Sequence, residues 1–254
     1  SSPLVVAHGY VCFERNEELV AVDLLSGDVL WTRDDVPERI DLFGDARYVF
    51  VVPAEGTGEA RVFSALDDHE LGQRTLPARS DCLAAIGRRL LVWETNATQR
   101  RLRLIDAWTG ESVWEREMPA ETQVCLVRHE GVAALDPEGW FAVWQIESGE
   151  PLVETKLEVQ PILEQIHVEQ YGENLLIFTN RPPEPTAQRI FIHNAAPAVN
   201  VNGSLCCVGP QGRMLWSTEV MDQQLELDLP SELPVLLFSK RRQSQVPRPE
   251  GGVT

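Results

Sequence analysis

Short apolar segments, broken by Gly, Pro, Asp and Asn, follow one another along the chain. Near the N-terminus they occupy residues 4–7, 10–14, 19–23 and 29–33, and they are rich in valine and leucine. A helical repeat would instead show a 3.6-residue periodicity over about ten residues. β-Branched runs bounded by turn-forming residues are typical of strands. The pattern therefore predicts an all-β protein made of many short strands.

A ten-residue pattern near the end of this first group of strands recurs later in the chain. Residues 22–31 read VDLLSGDVLW and residues 105–114 read IDAWTGESVW. The shared positions are an apolar residue, Asp, Ser or Thr, Gly, an acidic residue, a second apolar residue and Trp. Weaker or degenerate copies lie at residues 65–72, 144–152 and 210–216. Internal similarity of this sort indicates a repeat protein.

The spacing of the copies identifies the kind of repeat. Gly110 follows Gly27 by 83 residues, which is two units of about 41 with the degenerate copy between them, and Gly149 follows Gly110 by 39. A period near 40 is that of a four-stranded blade of a β-propeller. Gly212 follows Gly149 by 63 residues, so this unit contains an insertion.

Each recurring residue has a physical role in a hairpin turn. The side chains of Asp23 and Ser26 can accept hydrogen bonds from the free backbone N–H groups of a tight turn. Gly27 supplies a positive φ, which is sterically costly for other residues. We therefore expect a short hairpin between the third and fourth strands of a blade. Trp31, on the fourth strand, is expected to fill the wedge between neighbouring blades.

The first unit resembles a complete blade of the pyrroloquinoline-quinone-like repeat family. The signature of that family is Ala-x-Asp-x-x-Thr-Gly-x-x-x-Trp. It is represented here by Ala21, Asp23, Ser26, Gly27 and Trp31, with Ser in place of Thr. The resemblance covers nearly the whole chain, although two units lack the tryptophan. It implies a β-propeller of four-stranded antiparallel blades, with about five blades and a partial sixth.

The repeat places the whole chain, residues 1–254, in a single incomplete propeller. The expected blades occupy residues 3–34, 38–77, 78–119, 120–157 and 162–220, with the partial sixth at 225–254. Residues 180–202, rich in Pro, Ala and Asn, are expected to form a long surface loop inserted in the fifth blade. An open propeller leaves unpaired sheet edges, which proteins avoid. We therefore expect a longer native protein, in which the remainder of its own chain completes six to eight blades.

The charge and hydropathy of the chain exclude two classes of partner. The net charge of −17 repels a phosphate backbone, so no nucleic-acid binding is expected. The best basic patch, Lys240, Arg241 and Arg242, is interpreted as a solvated strand end or loop. Apolar stretches reach only about six residues, whereas a membrane helix needs about 18 or more, so no membrane span is predicted. No signal-peptide pattern opens the chain, but the chain begins with Ser1, which leaves a removed targeting segment open.

The chemically reactive residues form no recognisable catalytic or metal-binding motif. The cysteines lack CxxC spacing, which favours buried free thiols at positions Cys12, Cys82, Cys125, Cys206 and Cys207. No HxH, HExxH or GxSxG motif occurs, so surface or turn positions are expected for His8, His69, His129, His167 and His193. The acidic residues that follow the turn glycines are expected to form a solvated rim: Asp28, Glu111 and Glu150. We assign no catalytic, cofactor-binding or metal-binding residue and expect no cofactor.

The family resemblance leaves three functions open. The first is a non-catalytic scaffold that binds proteins through rim loops, as in the outer-membrane-assembly scaffold lipoproteins that share this repeat. The second is a fragment of a quinoprotein dehydrogenase, in which a disulfide of adjacent cysteines lies against the quinone. Cys206 and Cys207 match that pair, but strand geometry would direct them to opposite faces. The third is a carbohydrate-binding or cell-surface-binding module.

The same resemblance implies a bacterial protein in the periplasm or another extracytoplasmic compartment, although the odd number of free cysteines is unusual for an oxidising environment. A scaffold is favoured over an enzyme, and loop 180–202 is the preferred place for a partner.

Overall fold

The computed structural model describes residues 4–7, 9–54, 58–96, 99–128, 130–182, 198–226 and 236–239. Strands dominate these residues, and helix is limited to two short 3-10 segments, Arg79–Asp81 and Pro210–Gly212. The prediction of an all-β protein is thereby confirmed. No helix within the described ranges has the length and apolar character that crossing a bilayer requires.

The strands form five antiparallel sheets, each made of strands that are consecutive in the chain. The first contains β1 (Leu4–Ala7), β2 (Tyr10–Arg15), β3 (Glu18–Asp23) and β4 (Val29–Arg33). The second contains β5 (Ile40–Gly44), β6 (Tyr48–Pro53), β7 (Glu59–Ser64) and β8 (Glu70–Thr75). The third contains β9 (Cys82–Ile86), β10 (Arg89–Thr95), β11 (Gln99–Asp106) and β12 (Ser112–Pro119).

The remaining strands form the fourth and fifth sheets. The fourth contains β13 (Gln123–Val127), β14 (Gly131–Leu135), β15 (Trp140–Gln145) and β16 (Pro151–Lys156). The fifth contains β17 (Gln165–Tyr171), β18 (Asn174–Asn180), β19 (Ala198–Val208), β20 (Met214–Glu226) and β21 (Phe238–Ser239). Strand order within each sheet follows chain order, so each is an up-and-down meander. Five such meanders in series are blades of a β-propeller, as the repeat predicts.

The chain divides into two compact units. The first holds sheets one to three and part of sheet four, and comprises Ser1–Thr122, His129–Val132 and Val143–Leu152. The second holds the rest of sheet four and sheet five, and comprises Gln123–Arg128, Ala133–Ala142 and Val153–Thr254. Within the first unit, strand β5 lies next to both β1 and β9, and within the second, β13 lies next to β17. Blades in each unit thus meet through their first strands.

Strand β6 shows how one strand serves the cores on both sides of a blade. Its residues alternate between the two faces of the sheet. Val49 and Val51 belong to a cluster with Cys12 and Trp31 of the first sheet, whereas Phe50 packs with the third sheet. All three β6 residues are fully buried. Burial of both faces explains why this strand is a continuous apolar run.

The loop expected at residues 180–202 is shorter than the composition suggests. Strand β18 ends at Asn180, but strand β19 already begins at Ala198, so the prediction is wrong for residues 198–202. The physical reason is the alternation of Val199 and Val201, which both contribute to the apolar cluster of the fifth sheet. Residues 183–197 lie outside the described residues.

Only part of the expected sixth blade falls within the described residues. Residues 225 and 226 continue strand β20, and β21 pairs with β20 through Leu225 and Phe238. Phe238 packs against the same cluster as Leu225. An incomplete sixth blade is consistent with this arrangement. Residues 227–235 and 240–254, including the basic patch at Lys240, Arg241 and Arg242, lie outside the described residues.

Candidate interaction surface

The hairpin turn of the first blade is built as its sequence predicts. The Asp23 carboxylate accepts hydrogen bonds from the backbone N–H groups of Leu25 and Ser26, both at 2.8 Å. These two donors lower the pKa of Asp23, because they stabilise its charged form. The Ser26 hydroxyl accepts from the N–H of Asp28 at 3.2 Å. Gly27 has a φ of +75°, the conformation expected for the recurring glycine.

The turns of the third and fourth blades repeat this construction. In the third, the Asp106 carboxylate accepts from the N–H groups of Trp108 and Thr109, and Gly110 has a φ of +76°. In the fourth, Gln145 takes the place of the aspartate, and the Ser148 hydroxyl donates to it. The acidic residues after the turn glycines are exposed, which confirms the predicted solvated rim: Asp28, Glu111 and Glu150.

The second blade has the same turn with two residues exchanged. Ser64 stands at the aspartate position and Asp67 at the serine position. The Ser64 hydroxyl donates to the Asp67 carboxylate and lowers its pKa. Asp68, with a φ of +57°, takes the place of the glycine. Gly72 pairs with Val62 and so occupies the tryptophan position, which places the degenerate copy at residues 65–72 within the equivalent stretch 63–72.

Tryptophan joins one blade to the turn of the next. Trp31 donates from Nε1 to the carbonyl of Ala65 at 2.9 Å, and Trp114 donates to the carbonyl of Ile146 at 2.7 Å. Ala65 and Ile146 hold the same place in their turns, one residue after the end of the third strand. A Cβ added to Gly149 would lie 2.7 Å from Cγ of Trp114, so the turn glycine also makes room for the ring.

A second donor, two residues after the tryptophan position, completes the contact. Arg33 donates to the carbonyl of Asp68 and Arg116 to that of Gly149, both at 2.8 Å. In the fourth blade Thr155 has this place and donates to the carbonyl of Gly212 at 2.7 Å. We call the donor pair at these two positions the blade clasp. The second member of the clasp is not part of the repeat signature.

The second blade keeps the second donor of the clasp, which bonds a different carbonyl of the next turn. Gly72 replaces the tryptophan, but Arg74 donates from Nε to the carbonyl of Trp108 at 2.9 Å. Its guanidinium also lies over the Trp108 ring, 3.7 Å from the centroid. A cation held over an indole face is a favourable contact. The aromatic ring at this junction therefore comes from the turn instead of the fourth strand.

The clasp of the fifth blade has no acceptor within the described residues. Trp216 pairs with Cys207 in register, as Trp31 pairs with Ala21. However, Trp31 is 7% exposed and Trp216 is 43% exposed. Neither Trp216 Nε1 nor the hydroxyl of Thr218, two residues on, has a hydrogen bond in the described part of the chain, and both residues are exposed. The fifth blade thus presents an open clasp.

The turn of the first blade has the same two acceptor positions as the turns at the closed clasps. These acceptors are the backbone carbonyls of Leu24 and Gly27. Both residues are exposed, and a Cβ added to Gly27 would have no neighbour within 4 Å. The space that Trp114 fills beneath Gly149 is therefore open beneath Gly27.

Apolar side chains stand at the tips of the turns in the first and second blades. Leu25 is 95% exposed and Leu66 is 70% exposed. Each follows the aspartate position by two residues, so the two occupy equivalent places. Trp108 has this place in the third blade and stacks on Tyr48 at 4.9 Å between ring centroids. The rim of these three blades is thus apolar at its tips and acidic beside them.

An ion-pair network fastens the first blade to the second. Arg61 pairs with Asp35 and with Glu70, each at 2.7 Å, and Arg33 pairs with Asp35 at 2.8 Å. Both guanidinium groups also lie over the ring of Phe63. The two positive charges hold the pKa of Asp35 well below its ordinary value.

The five cysteines are all free thiols, of which Cys12, Cys206 and Cys207 are buried as expected. The expectation of burial is wrong for Cys82 and Cys125, which are only partly buried. Burial raises the pKa of Cys12 to about 12 and that of Cys206 to about 11. Cys206 and Cys207 pair in register with Ile177 and Leu176 of strand β18. Successive strand residues face opposite sides of the sheet. Of the two cysteines, Cys207 belongs to the apolar cluster of the fifth sheet.

The two histidines that the structure describes lie in different blades. His69 lies at the turn of the second blade and is exposed, and His167 contacts Glu169 at 2.9 Å. His8, His129 and His193 lie outside the described residues. Across the ranges that the structure describes, no group of three or more His, Cys, Asp and Glu side chains is arranged to hold a metal ion.

No model of a known protein family matches the chain, and no curated protein matches it. Solved structures resemble it in fold. BamB from Moraxella catarrhalis is 14% identical with a TM-score of 0.34, and the match covers 88% of this chain. Hsv2 from Kluyvelomyces marxianus is 5% identical with a TM-score of 0.45 over 89%, and the N-terminal domain of Nup159 is 11% identical with 0.45 over 88%. All three are β-propeller proteins, and this chain spans 65% of each.

Proposed function

We propose that this chain is a non-catalytic β-propeller scaffold that binds protein partners through its rim loops. The observation that supports the proposal is the equivalent, exposed placement of Leu25 and Leu66 at the tips of turns on consecutive blades. Covering exposed apolar side chains stabilises a complex by about 25 cal/mol per Å² of apolar area removed from water.

The construction of these turns favours binding. Backbone N–H groups that donate to the side-chain oxygens of Asp23 and Ser26 hold the first turn, and the Ser64–Asp67 pair holds the second. A surface that is ordered before binding loses little conformational entropy when the complex forms. The carboxylates beside the tips, such as Asp28, favour a partner with a basic surface, because complementary charge accelerates encounter and rejects other proteins.

The test compares the wild-type chain with Leu25→Glu/Leu66→Glu in cross-linking capture followed by quantitative mass spectrometry. Leu152→Glu is the matched control, because Leu152 is also an exposed leucine but lies on strand β16 and not at a tip. We expect at least one protein to be retained by wild type and the control and lost by the double variant. Equal capture by all three proteins would contradict binding at the tips.

The quinoprotein fragment is the alternative, and the carbohydrate-binding or cell-surface module is the third proposal. The adjacent thiols Cys206 and Cys207, the pair that resembles the disulfide of quinoprotein dehydrogenases, are free and buried in strand β19. Visible absorbance with added quinone and calcium distinguishes the alternative: a bound-quinone spectrum would favour it. A glycan-binding assay with the leucine variants tests the third.

Two further expectations accompany the proposal. An extracytoplasmic location in a bacterium and the role of residues 180–202 as a partner site both stay predictions. The second is tested by deleting residues 183–197, which should remove partner capture while leaving the unfolding midpoint unchanged.

A further inference from the structure

We propose that a protein partner inserts a tryptophan side chain between the second and third blades, where the second blade lacks a clasp tryptophan of its own. The inference rests on the proposed function of the rim, and it names the side chain of the partner that the rim recognises. We call this place the indole slot. It lies between Gly72 of strand β8 and the turn of the third blade, residues 106–110, and all four strands of both blades are described.

The closed clasps show what the slot binds. At two junctions an indole Nε1 donates to the backbone carbonyl one residue past a third strand, as Trp114 donates to Ile146. Ala107 has this place in the third blade and is buried. Its carbonyl oxygen accepts no hydrogen bond within the described ranges. Since a buried carbonyl without a partner costs free energy, an indole N–H would supply the bond that this junction lacks.

Two turn glycines show that there is room for a ring at this junction. Gly110 and Gly149 have nearly the same φ, +76° and +71°. A Cβ added to Gly149 would lie 2.7 Å from Cγ of Trp114, whereas one added to Gly110 would have no neighbour within 4 Å. Gly149 is accordingly buried and Gly110 exposed. The difference follows from the residue at the tryptophan position of the preceding blade, which is Trp114 in one case and Gly72 in the other.

Arg74 gives the slot a cationic wall. Its Nη1 would lie 3.8 Å from a Cβ added to Gly72. The equivalent arginines of the first and third blades bond the carbonyl at the glycine position of the next turn. Arg74 instead bonds the carbonyl of Trp108, two residues earlier, and so lies nearer to the place of the missing indole. An aromatic ring that enters the slot would therefore contact a guanidinium, which is a favourable arrangement.

The fourth strand of the second blade cannot supply the ring itself. Gly72 has a φ of +117°, a conformation that is costly for residues with a side chain. The neighbouring Leu71 packs against the apolar cluster that contains Ala107, so the inner side of the slot is apolar. An apolar wall, a cation and an unpaired carbonyl together favour tryptophan, because phenylalanine and leucine have no N–H to donate.

Saturation-transfer NMR titration of the whole chain tests the slot with two probes, N-acetyl-L-tryptophanamide and its 1-methylindole analogue. We expect the first to bind with a dissociation constant on the order of 1 mM, as suits so small a ligand. The analogue keeps the ring but has no indole N–H, so it should bind at least about 3-fold more weakly. No saturable binding of the first probe, or equal affinity for the two, would overturn the proposal.

Gly110→Asn places a side chain in the ring space, and asparagine tolerates the positive φ. It should weaken binding of the tryptophan probe at least about 10-fold, since it removes the space that the ring needs. Gly27→Asn is the matched control, because Gly27 has a φ of +75° and the same open space in a different turn. Unchanged binding by Gly110→Asn would exclude the slot. Circular dichroism verifies each fold, and Arg74→Gln, expected to weaken binding about 3-fold, decides the matter if Gly110→Asn does not fold.

The capture experiment separates this inference from the function on which it rests. Loss of the same protein by Leu25→Glu/Leu66→Glu and by Gly110→Asn, with retention by Leu152→Glu, would support both. Retention by Gly110→Asn of a protein that the leucine variant loses would overturn tryptophan insertion and leave rim binding intact. A captured partner without tryptophan would do the same. If the wild type captures nothing, the proposed function fails, and with it the tryptophan-bearing partner, whatever the probes show.

Discussion

Trp31 and Ala65 belong to different blades and are joined by a hydrogen bond of 2.9 Å from the indole Nε1 to the backbone carbonyl. The ring is 7% exposed and packs in a cluster with Val49 and Phe63. One side chain thus supplies both the apolar filling between two sheets and a directional bond that sets their alignment.

Replacing Trp31 should show both contributions. Trp31→Phe removes the donor, leaves the Ala65 carbonyl without its partner and opens a small cavity, so we expect a loss of about 1–3 kcal/mol. Trp31→Ala should cost about 3–5 kcal/mol because most of the packing is also lost. Urea denaturation followed by circular dichroism measures the differences.

The matched control is Trp216→Phe, at the same register position of the fifth blade. Because Trp216 is exposed and has no hydrogen bond in the described part of the chain, we expect a change within about 0.5 kcal/mol in dilute solution. If Trp216→Phe lowered the free energy of unfolding as much as Trp31→Phe does, the tryptophan would stabilise its blade even where its indole N–H has no acceptor.

Two turn glycines with nearly the same backbone conformation should differ in their tolerance of alanine. Gly110 has a φ of +76° and open space at the Cβ position, so Gly110→Ala should cost about 1–2 kcal/mol from backbone strain alone. Gly149 has a φ of +71° and the Trp114 ring in that space. Gly149→Ala must also displace the ring, and we expect about 1–3 kcal/mol more. Equal costs in urea denaturation would exclude the steric role of Gly149.

Acidification should weaken the junction between the first and second blades. Arg33 and Arg61 lower the pKa of Asp35 in the folded protein below its unfolded value of about 3.9. The stabilisation is therefore complete above about pH 5, and it is lost progressively as the pH falls through the unfolded pKa towards the folded pKa. Since Asp35 is half exposed, we expect at most about 1 kcal/mol.

The measurement compares the urea midpoints of wild type and Asp35→Asn at pH 6, 5, 4, 3 and 2. The difference between them should be constant from pH 6 to pH 5 and should shrink below pH 4. Asp28→Asn is the control, because Asp28 forms no ion pair in the part of the chain that the structure describes. A difference that grows on acidification would contradict the assigned direction.

The buried thiols should be unreactive in the folded protein. Cys12 is fully buried and has a pKa of about 12, so the thiolate that attacks alkylating reagents is scarce and inaccessible at pH 8. Cys82 and Cys125 are only partly buried. Burial raises the pKa of both thiols, that of Cys125 to about 12, so Cys82 should react first but more slowly than an exposed cysteine. Iodoacetamide labelling followed by peptide mass spectrometry should modify Cys82 before the others, and Cys12 and Cys206 only in urea. Rapid labelling of Cys12 in the native protein would show that the first blade opens.

The features that were predictable from sequence are local. Asp23, Ser26 and Gly27 act within one turn, so their pattern determines their geometry, and Trp31 is large enough to identify the wedge between blades. The Arg33 contact was missed because its acceptor is a backbone carbonyl 35 residues away. Its signal was nevertheless present, since arginine follows each of the first two signature tryptophans by two residues.

Composition is an incomplete guide in two places. The Pro, Ala and Asn content of residues 180–202 suggested a loop throughout, although Val199 and Val201 alternate as strand residues do. In the second blade no glycine stands at the turn position, and Asp68 adopts the positive φ instead. Polar residues with short side chains tolerate this conformation, and so glycine is not an obligatory marker of the turn.

The exchange of Ser64 and Asp67 has a consequence for how this repeat diversifies. A single replacement of Ser64 by Asp would place two carboxylates at hydrogen-bond distance, and a single replacement of Asp67 by Ser would leave two hydroxyls and no charged acceptor. We expect either intermediate to be less stable than both end states, which would make the two positions epistatic. Blades of this type are therefore expected to exchange whole turns through recombination more readily than to acquire them one substitution at a time.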